Sequence, residues 1–196
     1  MAENVSAQVA IDRLITGNKR FVAGSLKNGL KGPGRRPDLT GGQKPFAIIL
    51  ACADSRVAPE LIFDQTLGDL FVIRVAGNVN GTEVLASIEY AVAALGVRLV
   101  VVTGHQSCGA VGAAVKGGRV TDHISRLVHA IEPSVIEARQ KDGDVVENAI
   151  RINAQRTARI LVESSATLTQ EVAEGGLQVL PGYYSLETGV VEIGDL

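Results

Sequence analysis

The chain has no tryptophan, one methionine and only two cysteines, Cys52 and Cys108, among its 196 residues. Two cysteines are too few for the disulfide framework of a small secreted scaffold, and a chain of this length buries enough surface to need none. An excess of one charge sign is lacking as well: nineteen basic residues face twenty-one acidic ones, a formal net charge of −2. That balance argues against broad electrostatic binding of nucleic acid, which needs a basic field to displace counterions. Long hydrophobic runs are also missing. The longest, from Phe46 to Ala53, is far short of the roughly 20 residues that cross a bilayer. The opening MAENVSAQVAIDRLITGNKRF has acids and polar residues where a signal peptide needs a basic start and an apolar stretch. A cytoplasmic, reduced protein with no membrane and no nucleic acid partner is expected, so the cysteines are free thiols, metal ligands or nucleophiles.

What is present is apolar. Hydrophobic residues make up 46% of the chain, which excludes disorder and, with the length, favours one domain over residues 1–196. Residues 5–22 carry Val5, Val9, Leu14, Phe21 and Val22 among polar neighbours. This pattern predicts an amphipathic helix, either an arm on a partner subunit or a helix packed on its own core. Gly24 to Pro45 is rich in glycine and contains Pro33, Pro37 and Pro45, so it reads as loop. The arm and loop therefore fill 1–45 and the remainder, 46–196, forms the core.

Within that core FAIILA (46–51), LFVIRV (70–75) and RLVVVTG (98–104) are short continuous apolar runs that predict buried strands. Between the last two, Val84, Ile88, Ala91 and Leu95 recur at helical spacing after Thr82, and Gly96 suits the helix exit. Strand, helix, strand with continuous apolar strands predicts an α/β fold, a mainly parallel sheet covered on both faces. Residues 122–140 and 144–166 predict two longer helices, with Pro133 bending or interrupting the first. The tail LQVLPGYYSLETGVVEIG predicts a hairpin or last strand pair.

Ligands of open α/β sheets bind at the carboxyl ends of the strands. There the first strand runs into Cys52-Ala53-Asp54-Ser55-Arg56 and the third into His105-Gln106-Ser107-Cys108-Gly109. Cys52, His105 and Cys108 thus converge on one sheet edge. Two thiolates and an imidazole suit Zn²⁺, and three protein ligands leave a fourth tetrahedral position open. The plainer alternative is two buried cysteines and a turn histidine, and a cysteine nucleophile with His105 as base is a further one. Asp54 could ligate the metal, accept a proton or cap the next helix, and Arg56 could hold it in a bidentate pair. Gly104, Gly109 and Gly112 do not have the spacing of a phosphate cradle. His123 and His129 lie in a polar stretch and read as surface residues.

CADSR (52–56) and GHQSCG (104–109), with RVAGN (74–78) and SIEYAV (87–92) between them, resemble the β-class carbonic anhydrases. The resemblance runs from about residue 9 to the TG-V-E segment near 188–192. It implies zinc on Cys52, His105 and Cys108, and a lyase that reversibly hydrates CO₂ to bicarbonate by zinc-hydroxide attack. Asp54 and Arg56 match the family's acid–arginine dyad. Gln43, Phe71, Tyr90 and Gly109 match substrate-site positions, the first three acting across the interface of a homodimer or homotetramer. A subgroup regulated by bicarbonate carries a tryptophan and a glycine where this chain has Ile49 and Ala51, so the resemblance implies the open-site type. Relatives of the fold also hydrolyse carbonyl sulfide or carbon disulfide, which is the alternative activity. Two thiolates cancel the formal charge of Zn²⁺, so CO₂ hydration is expected to keep rising between roughly pH 7 and 9.

Overall fold

The computed structural model describes residues 4–27, 32–118 and 121–194. Among the described residues five strands form one sheet in the order β2-β1-β3-β4-β5. They are β1 (Ala47–Ala51), β2 (Leu70–Arg74), β3 (Leu99–His105), β4 (Gln178–Tyr184) and β5 (Val191–Ile193). The first four run parallel, and β5 returns antiparallel to β4 as the tail pattern predicts. From β1 the chain crosses to one edge, and from β3 it crosses to the other. The carboxyl ends of β1 and β3 therefore flank the topological switch point, where open α/β sheets hold their ligands.

The aliphatic runs of β1 and β3 are buried throughout because helices cover both faces. Ile48 and Leu50 point with Val100 and Val102 toward α4 (Thr82–Ala93), α7 (Val145–Glu163) and α8 (Ala166–Ala173). Ala47, Ile49 and Ala51 point the other way with Leu99 and Val101, toward α1 (Ala7–Val22). Strand β2 departs from the expectation of two covered faces. It is an edge strand, and Leu70 to Ile73 are only half-buried.

Of the two placements open to the N-terminal helix, the structure has the second. Ala7, Ala10 and Leu14 of α1 enter the chain's own core. Close docking requires Gly17, where a Cβ would stand 1.8 Å from the Phe63 carbonyl oxygen. The buried Asn18 amide donates to the carbonyls of Ile62 and Gly189 and accepts from the Val191 N–H. Next to it Arg20 Nε pairs at 2.5 Å with the fully buried Asp64 carboxylate, which also accepts the Lys27 N–H. Arg20→Ala removes this buried pairing, and the expected loss is about 3 kcal/mol of unfolding free energy. Urea titration of both proteins measures it; a loss below about 0.5 kcal/mol would place the pair among ordinary surface ion pairs.

The long loop holds more structure than its composition predicts: a short α2 (Gly32–Arg35) and a 3₁₀ turn at Pro37–Leu39. Pro33 lies in the first turn of α2 and Pro37 opens the 3₁₀ turn, positions where a missing N–H costs nothing. A one-turn α3 (Pro59–Ile62) follows the first metal-type motif. Helix α5 (Gly109–Lys116) starts at the second, and α6 (Asp122–Ala138) follows. Pro133 does not interrupt α6. Its lost hydrogen bond is outweighed by a buried face of Ile131, Val135 and Ala138, which packs near the sheet's carboxyl edge.

Candidate metal centre

Cys52 follows the last residue of β1, His105 ends β3, and Cys108 is the N-cap of α5. All three are buried, and their ligand atoms lie within 4.8 Å of one another. The two Sγ atoms are 4.0 Å apart as free thiols. His105 Nδ1 lies 3.0 Å from the Gln106 carbonyl oxygen, which fixes the tautomer with hydrogen on Nδ1. Its Nε2 is then a bare lone pair, buried and, among the described residues, without a hydrogen-bond partner. Buried polar atoms are rarely left so. A lone pair aimed beside two buried sulfurs is the donor set of a zinc ion, and the residues fit that metal.

The turn joining His105 to Cys108 is held from several sides. Ser107 takes a left-handed φ of 56°, uncommon for a side chain with a Cβ and retained where surrounding contacts enforce it. Gln106 donates its N–H to the Tyr184 carbonyl, and its side-chain oxygen accepts from Ser185 and Glu187. Glu147 of α7 reaches the Ser107 N–H at 3.5 Å and accepts the Tyr183 hydroxyl at 2.5 Å.

Asp54 and Arg56 form the expected bidentate pair, with Nε to Oδ1 at 2.9 Å and Nη2 to Oδ2 at 2.8 Å. The Arg56 side chain, with its own N–H also on the carboxylate, holds Asp54 well below the usual carboxylate range. Arg56 is tied in turn to the Ser107 carbonyl, which links the two halves of the centre. Helix capping is not the role of Asp54, since α3 starts at Ala58 without a side-chain cap. Its Oδ2 stands 3.9 Å from His105 Nε2, beside the three-ligand set rather than within it. Hydrogen bonding from the Cys108 thiol, and from the Gly77 N–H, lowers the Cys52 thiol against the opposing effect of burial. Cys108 is pushed up by the same contact and by burial. One proton shared between two sulfurs accounts for both directions.

The remaining expected residues are not all at this centre. Gly109 is, as the first residue of α5, and a Cβ built on it would meet nothing within 4 Å. Phe71 pairs with Ile48, well before the carboxyl end of β1. Tyr90 on α4 is half-exposed, with its ring centroid 6.3 Å from that of Phe71. Gln43 is exposed in the segment before β1. His123 and His129 are exposed on α6, as read from sequence. Sequence reasoning gave no role to Arg74 and Gly77, both within RVAGN, and passed over Glu147 and Asn153. Arg74 donates to the carbonyls of Cys52 and Asp54, pinning the first motif.

The profile of the carbonic anhydrase family matches residues 47–191. The chain belongs to the β-carbonic anhydrases. Carbonic anhydrase 2 of Mycobacterium tuberculosis is 41% identical over 200 residues, covering 98% of this chain and 95% of that protein. The carbonic anhydrase of Mycolicibacterium smegmatis is 40% identical over 194 residues, covering 97% and 94%. Among solved structures, the β-carbonic anhydrase CcaA superposes with a TM-score of 0.72 at 28% identity, covering 94% of this chain and 87% of that one. One of two tetrameric β-carbonic anhydrases from Sordaria macrospora gives 0.75 at 24% identity, covering 95% and 94%, a likeness of fold. Family membership makes the chain an enzyme, a carbonic anhydrase. It also fits a mostly parallel sheet whose switch point carries two thiols and an imidazole that could hold a metal, where a phosphate-binding fold would carry a glycine cradle.

Proposed function

We propose that this carbonic anhydrase catalyses the reversible hydration of CO₂ to bicarbonate and a proton at a zinc ion held by Cys52, His105 and Cys108. The observation that carries the reading is the unpartnered, buried Nε2 of His105 beside two buried thiols. Bound zinc would supply Lewis acidity that brings the ionisation of water toward neutral pH.

The chain's own residues supply the rest. Asp54, kept ionised by Arg56, accepts a hydrogen from the attacking water and so turns an oxygen lone pair toward the carbon of CO₂. Arg56 directs two of its N–H donors to the carboxylate and fixes its plane. The Gly109 N–H, at the positive end of α5, stabilises charge developing on a CO₂ oxygen, with the Gln43 amide on the other. The open space in front of Gly109 suits a small linear substrate.

Gln43, Phe71 and Tyr90 serve this chemistry from the partner of a homodimer, or of a homotetramer built from dimers. Support comes from the half-buried apolar edge strand β2, from the half-exposed Tyr90 packed on it, and from the tetrameric Sordaria macrospora relative. The open-site type is supported by Arg56 occupying both Asp54 oxygens and by Ile49 and Ala51 in place of the regulated subgroup's tryptophan and glycine. A zinc-loaded crystal grown at about pH 8 is expected to keep Asp54 on Arg56, and a carboxylate on zinc would overturn that assignment. A reduced, cytoplasmic setting suits thiols that must stay unoxidised to bind metal. Among the described residues no helix is long and apolar enough to cross a membrane. Turnover of carbonyl sulfide measured beside CO₂ tests the substrate. CO₂ is expected to be strongly preferred, and the reverse preference would overturn the reading.

A further inference from the structure

Asn153 lies in the middle of α7 on its buried stripe, flanked by Ala149, Ile150, Ile152 and Ala154. A primary amide among aliphatic side chains costs free energy unless its groups are paired. Its Nδ2 donates at 2.9 Å to the Gly77 carbonyl, 76 residues away in sequence, while its Oδ1 faces the Ser134 hydroxyl at 3.5 Å. The N–H of that same Gly77 donates to Cys52 Sγ at 3.3 Å.

Gly77 sits in the 3₁₀ turn after β2 with a left-handed φ of 72°. A Cβ there would stand 2.8 Å from Ile131 Cδ1 and 3.2 Å from Ala110 Cβ. A side chain there would hold a strained backbone and push Ile131 aside, so the position favours glycine, yet glycine is the residue whose backbone least constrains itself. Its orientation has to be set from outside, and Asn153 is the side chain seen to hold it.

We propose that Asn153 is a positioning residue for the metal centre: by anchoring the Gly77 carbonyl it keeps the Gly77 N–H on the Cys52 sulfur. This rests on the zinc reading above. Cys52 and Cys108 sit in an apolar cluster with Val111, Ile131, Ile150 and Ile152, where thiolate charge has little solvent to steady it. An N–H aimed at sulfur offsets part of that charge without competing for the metal, and such outer partners typically control metal affinity by 10- to 100-fold.

The test uses the zinc-loaded full chain, Asn153→Leu and, as control, Ser134→Ala, which removes only the hydroxyl facing Oδ1. Zinc release to a chromogenic chelator is expected to be about 10-fold faster or more in Asn153→Leu and unchanged in Ser134→Ala. With Co²⁺ in place of zinc, the sulfur-to-cobalt absorption band is expected to shift in Asn153→Leu alone. A merely structural asparagine would lower stability in urea while leaving that band in place. Unchanged release and an unchanged band in folded Asn153→Leu would overturn the proposal and leave the zinc reading intact. If Asn153→Leu does not fold, the wild-type chain loaded with ¹¹³Cd decides. Scalar coupling between cadmium and the Gly77 amide proton is expected, and its absence would overturn the proposal. A wild-type chain that retains no divalent metal would overturn the zinc reading and this inference together.

Discussion

Replacing His105 by alanine, or Cys52 by serine, is expected to abolish zinc retention and CO₂ hydration together. Each residue supplies one of three ligand atoms within 4.8 Å of one another. With one gone, two donors remain, too few for a tetrahedral site that must keep one position for water. The fold is expected to survive. The clusters on the two faces of the sheet, around Ile49 with Leu14 and around Leu50 with Ile88, do not include the three ligands. Metal content by elemental analysis and turnover by stopped flow read the two losses separately. A variant that kept one zinc per chain and its rate would remove that residue from the centre.

Asp54→Asn is expected to separate the same two properties. Zinc content should stay at the wild-type level, because Asp54 lies beside the ligand set and is engaged by Arg56. The rate should fall by about 10²- to 10⁴-fold, the usual worth of a positioned proton acceptor. Asparagine keeps an oxygen for the Arg56 N–H, so the turn itself is preserved. Arg56 is half-exposed and can be hydrated once its counter-charge is gone, so little stability should be lost. Turnover within about twofold of wild type would show that Asp54 does not act on the reacting atoms.

The parts of the molecule legible from sequence were those in which one residue type suffices. β1 throughout and β3 from Leu99 to Val102 are aliphatic because both their faces are covered. Their carboxyl ends could therefore be located, and with them Cys52, His105 and Cys108. The Asp54–Arg56 pair was legible because its partners are two residues apart. Less legible was whatever depends on distant partners. Apart from its last residue, Arg74, β2 has as apolar a sequence as β1, and the strand order puts it at an edge. The docking of α1 depends on the Phe63 carbonyl against Gly17 and on Ile62, Gly189 and Val191 around Asn18. Asn153 did leave a trace, a polar residue on the buried stripe of α7, but its link to Cys52 passes through Gly77. No helical or strand periodicity encodes that path.

Stopped-flow CO₂ hydration at about pH 8.5, on protein of known zinc content, tests the central claim most directly. Fast turnover that disappears when zinc is stripped and returns when Zn²⁺ is added back is the expected result. One zinc per chain with no turnover, or turnover that survives complete removal of metal, would contradict it.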